Sequence, residues 1–152
     1  MYRKILVPLD GSALAEAALP PVIELAQCTG AHIVLLRVMV TPVYEYMMTD
    51  PGVAALTVEA RTINRQEIGN YLESVAAGLR QKGLGVTTET CEGPIADSIL
   101  DYAESIHADL IAMSTHGRSG IARWLLGSVA ERVVHAATRP VLLVRAHPPK
   151  HT

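Results

Sequence analysis

The sequence predicts an α/β fold: a single open five-stranded parallel sheet, doubly wound by helices. Three observations predict it. Short runs rich in Val, Ile and Leu recur five times along 152 residues, and four of them are nearly continuous in apolar residues, as strands covered on both faces are. Stretches with apolar residues at helical spacing separate these runs. Strand and helix alternate to the end of the chain, which implies crossover connections and therefore parallel strands.

The first strand is read at 3–9, "RKILVPL". A helix over 12–28 follows, with Ala15, Leu19, Val22 and Ala26 on one face and Gly30 where a left-handed cap is expected. Pro20 and Pro21 interrupt that pattern. An interior proline costs roughly 3 kcal/mol, so the helix either kinks there or starts there. The second strand is "AHIVLLRV" at 31–38, and the second helix runs from about 54 to 82 with Ile68, Leu72, Val75 and Leu79 aligned. The third strand, "GVTTETC" at 85–91, alternates with Thr and Glu and suits a sheet edge. Pro94 sits at the start of a third helix that carries Ile95, Ile99, Tyr102 and Ile106. The fourth strand is "DLIAMS" at 109–114. The last helix begins at Ser128, where S-x-x-E with Glu131 reads as a capping box and Val129, Val133 and Ala137 line one face. Pro140 closes it, and "PVLLVR" at 140–145 is the fifth strand.

Residues 39–53, "MVTPVYEYMMTDPGV", are the long connection. A loop of about 15 residues is unusual unless it has a role. Tyr44, Tyr46, Met47 and Met48 could shield a ligand or a partner surface, or be incidental to a mobile loop.

Composition excludes several classes. The chain has the length of one ordinary domain, and with no Phe its core must be aliphatic. No apolar run approaches the roughly 18 residues of a membrane span. "MYRKILVPLD" reaches Asp10 too soon to supply a signal-peptide apolar region, so a cytoplasmic location is expected. Cys28 and Cys91 stand at no metal-ligand spacing and are expected as buried small hydrophobes rather than a disulfide. The six histidines form no ligand grouping, so no structural metal is expected. Net charge is −2, but residues 1–113 carry seven Lys/Arg against fourteen Asp/Glu and residues 114–152 six against one. The basic end is either a solvated face or the surroundings of an anion site. A slightly acidic chain without a Lys/Arg run argues against nucleic acid.

In an open parallel sheet, ligands bind beyond the carboxyl ends of the strands, where the strand order reverses. Two stretches fall there. "VPLDGS" places Asp10 at the mouth of the sheet, either as a site carboxylate or, with Ser12, as an ordinary helix cap. After the fourth strand comes "STHGRSGIARWLLGS". Gly117 and Gly120 allow close backbone approach, and Gly127-Ser128 opens a helix with free amides and a hydroxyl. A helix N-terminus carries roughly half a positive charge, so the two ends of this stretch could form a two-part phosphate cradle. The bland alternative is a glycine-containing loop before a capped helix. No G-x-G-x-x-G follows the first strand and no P-loop occurs anywhere, which disfavours a conventional dinucleotide fold and a P-loop NTPase.

"ILVPLDGS", "LLRV", "STHGRSG" with "LLGSVAERV", and "PVLLVR", in that order across essentially the whole chain, resemble the universal stress protein family. The resemblance implies an adenine nucleotide alpha hydrolase-like, Rossmann-like sheet of order 3-2-1-4-5, with residues 1–147 as the domain and 148–152 as a C-terminal tail. The ATP-binding branch of that family reads G-x-x-G-x9-G-S/T, and here Ser114 replaces the first glycine while Gly117, Gly127 and Ser128 match. A Cβ at position 114 could crowd the phosphates, or its hydroxyl could bond them.

By resemblance, Asp10 holds the ribose or adenine edge, with Pro8 and Leu9 beside it. Val38 and Met113 flank the adenine. Gly117, with the backbone at His116 and Arg118, takes the phosphates from one side, and Gly127, Ser128 and Val129 take them from the other. Arg118 and Arg123 carry charge that could help. The implied cofactor is ATP, with Mg2+ able to bridge its phosphates. The implied assembly is a homodimer through strand 140–145, an apolar edge that a monomer would have to protect. A nucleotide-dependent contact with an unidentified partner protein would follow.

Two other readings stay open. A slow ATP hydrolase would need a base, and His116 is the only imidazole in the motif. A structural dimer that binds no nucleotide is the reading Ser114 keeps alive. A phospho-receiver domain lacks its acidic cluster and its lysine here.

Overall fold

The computed structural model describes residues 1–40, 51–116 and 127–146; of residues 51–61 and of His116 it describes the backbone alone. Five strands, β1 (Lys4–Pro8), β2 (His32–Met39), β3 (Val86–Glu92), β4 (Leu110–His116) and β5 (Val141–Ala146), pair in parallel in the order β3-β2-β1-β4-β5. Between them lie α1 (Ala13–Glu16), α2 (Leu19–Thr29), α3 (Pro51–Arg80), α4 (Ile95–Ser105) and α5 (Ser128–Ala136).

The alternation of side chains along each strand divides the core in two. Ile5, Val7 and Leu9 on β1 and its extension, with Ile33 and Leu35 on β2, pack against Leu19, Val22 and Ala26 of α2 and Leu72, Ala76 and Leu79 of α3. Leu6, Val34, Leu36 and Val38 face the other way, onto Ala96, Ile99 and Ala103 of α4 and Ala130 and Val133 of α5. Helices therefore cover both faces, which is why the central strands are apolar throughout.

Several local expectations resolve or change. The predicted helix over 12–28 is two helices. Ser12 caps α1 by accepting from the Ala15 amide, and α2 starts afresh with proline in its first turn, where a missing N–H breaks no hydrogen bond. Gly30 ends α2 with φ 72°. Met39 belongs to β2 and Pro51 opens α3, so the long connection is shorter than predicted, and 41–50 with Tyr44, Tyr46, Met47 and Met48 lie outside the described residues.

The capping box at Ser128 does not form. The N-cap is Gly127, with no side-chain cap hydrogen bond, and Ser128 is already helical. Cys28 is exposed rather than buried, because Val22 and Ala26 define the inner face of α2 and Cys28 lies off it. Cys91 is half-buried, and burial pushes its thiol pKa up. Among the described residues no helix is long and apolar enough to cross a membrane, and no cluster of three or more metal-ligating side chains occurs.

Candidate functional site

The strand order reverses between β1 and β4, and the sheet opens there. The β1–β4 register consists of Ile5↔Leu110 and Leu6↔Ile111, although both strands continue. Pro8 has no N–H to offer a ladder, and the next amide, that of Leu9, donates to Leu36 O of β2 at 2.8 Å. Above Leu6 and Ile111 the strands therefore part. A cavity of about 530 Å³ occupies this fork, a size suited to a small ligand.

Every described side chain that the sequence singled out for this site lies on the wall of that cavity. Pro8, Leu9 and Asp10 come from the end of β1, Val38 from β2, Met113 and Ser114 from β4, and Gly127, Ser128 and Val129 from the start of α5. Residues as far apart as Asp10 and Ser128 meet because parallel strands deliver all their carboxyl ends to one edge. Gly117, Arg118, Gly120 and Arg123, and the side chain of His116, lie outside the described residues.

Gly127 has φ 85° and ψ 146°, a conformation that L side chains rarely adopt. It turns the chain into α5, whose first amides lack intrahelical partners and border the cavity. With the helix dipole, this rim favours negative charge.

The opposite rim is built from side chains. Asp10 Oδ1 accepts from the Ser12 amide at 2.9 Å and from the Ser12 hydroxyl. Ser12 Oγ accepts from the Ala15 amide at 3.1 Å. Both readings of "VPLDGS" thus hold together: Ser12 caps α1, Asp10 fixes Ser12, and both line the cavity. Burial pushes the Asp10 pKa up, but the Ser12 hydroxyl and amide and the Arg37 guanidinium outweigh it and hold the carboxyl below its ordinary range.

Sequence reasoning missed Arg37. It lines the cavity, and its Nε and Nη1 are buried without a hydrogen-bond partner among the described residues. The available signal was a lone arginine inside the apolar run "LLRV", close to a strand's carboxyl end. Tyr71 was also missed. From α3 it donates to Glu16 Oε1 at 2.7 Å, tying α3 to α1 beside this rim, and burial followed by Glu16 pushes its hydroxyl pKa up. The remaining wall is largely apolar, with Leu14, Leu36, Ile68, Ile95 and Ile99 among its residues.

Comparison with known proteins agrees with this architecture. The model of the universal stress protein family matches residues 1–145. The universal stress protein MJ0531 of Methanocaldococcus jannaschii is 35% identical over 145 residues, which cover 95% of this chain and 83% of that one. The solved structure of MJ0577, from the same organism, is 30% identical with a TM-score of 0.79, covering 97% of this chain and 99% of that one. A universal stress protein solved in complex with cAMP has a TM-score of 0.66 at 21% identity, a likeness of fold, covering 95% of this chain and 97% of that one.

Proposed function

The chain belongs to the universal stress protein family, and on that premise we propose that it binds an adenine nucleotide, ATP foremost, in the cavity at the fork of the sheet and acts as a nucleotide-dependent regulator in the stress response. The observation that carries the reading is the convergence of both rims on one space. Asp10 with Pro8 and Leu9 stands on one side, Ser114, Gly127, Ser128 and Val129 on the other, and Val38 and Met113 contribute apolar surface for a flat base.

The residues present fit such a ligand. A glycine N-cap lets a phosphate approach the backbone closely, the Ser128 hydroxyl stands beside the free amides, and an ionised carboxylate faces them across the cavity. Bound ATP would supply a triphosphate tail, whose charge the α5 rim would stabilise. Mg2+, if carried, would be held mainly by the phosphates and water, as is usual for that ion. The family roles drawn for His116, Gly117 and Arg118 remain part of the proposal.

Dimerisation through β5 belongs to the same reading. β5 is an edge strand of the sheet, and Val141, Leu142, Leu143 and Val144 are only half-buried there. A cytoplasmic location and an unidentified partner protein complete it. The second reading, a dimer without nucleotide, is favoured by Ser114, whose side chain stands at the cavity wall where a glycine would leave more room.

Chromatography of small molecules released from the denatured purified protein separates the two. An adenine nucleotide in the supernatant supports the proposal, as does a rise in Tm with added ATP. At 100 times its Kd a ligand adds roughly 2.7 kcal/mol, or some 5 to 10 °C for a chain of this length. No released nucleotide and no shift with ATP, ADP or AMP would leave the structural dimer standing.

A further inference from the structure

Arg37 occupies a position that ordinary folding does not explain. Residues 33, 35 and 37 form one row of β2, and in that row Ile33 and Leu35 are fully buried in the core shared with α2 and α3. The same row then delivers a guanidinium to the carboxyl end of the strand, into the cavity wall. Its Nε and Nη1 are sealed from solvent with no acceptor among the described residues, an arrangement that folding alone disfavours for a charged donor. The Gly11 turn lies against it: a Cβ on Gly11 would sit 3.8 Å from Arg37 Nη1.

The charge around Arg37 narrows what its free donors can take. Asp10 senses the guanidinium, and Tyr71, bonded to Glu16, senses both Asp10 and Arg37. The Asp10 carboxylate offsets the guanidinium charge, so this rim offers a phosphate group no net positive charge. Phosphate is better served across the cavity, at the start of α5. The group that suits the Arg37 rim is neutral, accepts from a guanidinium and donates to a carboxylate. A hydroxyl does both through one oxygen, and a vicinal pair can engage both partners at once.

We propose that Arg37 contacts the ligand and determines specificity in this cavity, recognising with Asp10 the vicinal hydroxyls of a ribosyl group and discriminating against its deoxy counterparts. The proposal rests on the adenine-nucleotide reading above and adds to it a donor outside the G-x-x-G-x9-G-S/T motif. Discrimination follows because a deoxy ligand leaves the buried Arg37 donors unpaired, a penalty far larger than that of a lost methylene.

The test is isothermal titration calorimetry of the full-length wild type, Arg37→Met and Arg37→Lys with ATP, 2′-deoxy-ATP and 3′-deoxy-ATP. The wild type is expected to bind ATP about tenfold or more tightly than at least one deoxy analogue. In Arg37→Met, ATP affinity falls by about that factor while affinity for the discriminated analogue changes less than about twofold, and Arg37→Lys recovers part of the difference. A thermal melt checks folding. Should Arg37→Met not fold, the wild-type comparison with deoxy analogues and the Arg37→Lys variant still decide. Discrimination that survives in Arg37→Met, or equal losses for ATP and both analogues, would overturn the proposal. Wild type that binds ATP without discriminating overturns the Arg37 assignment alone, whereas wild type that binds none of the three removes the nucleotide reading with it.

Discussion

The two ends of β1 are each held by an aspartate, and they are held differently. At the amino end, Asp109 accepts from the amides of Arg3 and Lys4, each at 2.9 Å, while Lys4 Nζ donates to Ile106 O at 2.8 Å. That corner closes on itself. At the carboxyl end, Asp10 is occupied by Ser12 through one oxygen, Arg37 has two buried donors without acceptors among the described residues, and a cavity opens beside them. The contrast teaches where to look for function. Both aspartates accept two hydrogen bonds through one oxygen, but only the carboxyl end sets one beside a cavity and a guanidinium with donors to spare among the described residues.

Four substitutions press on this comparison. The largest effect is expected at Gly127, whose φ of 85° and ψ of 146° a Cβ would strain. Gly127→Ala should cost about 1 to 3 kcal/mol, seen in denaturant melts as loss of stability or in titrations as ATP affinity lower by about tenfold or more. If both quantities stayed unchanged, the backbone rim would lose its special standing.

Next comes a matched pair, Asp109→Asn and Asp10→Asn. The amides of Arg3 and Lys4, followed by minor charge effects, hold the Asp109 carboxyl below its ordinary value of 3.8. A depressed pKa stabilises the fold above that value, and the benefit disappears as pH falls through the folded-state pKa. Asp109→Asn should therefore lower Tm at neutral pH, with the gap to wild type closing below pH 3.8 and nucleotide affinity unaltered. Asp10→Asn should instead weaken ATP binding, by about tenfold, since it removes a charged acceptor from the cavity. Reversal of these outcomes would exchange the roles assigned to the two ends.

The smallest effect is expected at Ser114. Ser114→Gly restores the motif's first glycine and should change ATP affinity by only a few-fold, an increase if the side chain crowds the phosphates and a decrease if its hydroxyl bonds them. A strand-interior glycine costs roughly 0.5 to 1 kcal/mol, so a slightly lower Tm should accompany either result.

Much of this was legible in the sequence because it depends on repetition. The apolar runs gave each strand to within two residues, and their alternation with helical patterns gave parallel crossovers, since burial on both faces leaves few other arrangements. Asp10 and Gly127-Ser128 were findable because they stand where a strand ends or a helix begins. What escaped depends on atoms rather than periods. Ser128 and Glu131 have the spacing of a capping box, but the φ of Gly127 places the cap one residue earlier. Cys28 looked like a core residue by type, and the rotation of α2 sets it outside. Arg37 stood within the quoted run "LLRV", yet only three-dimensional neighbours reveal that two of its donors have no acceptor among the described residues.

The fork between β1 and β4 has a mechanical consequence. One half of the molecule, β3-β2-β1 with α2 and α3, meets the other, β4-β5, along the shortest ladder in the sheet. A molecule seated in the fork touches both halves at once and would act as a staple across that seam. Occupancy would then be felt as stiffness through the entire sheet, out to the exposed margin at β5, without any segment having to move far.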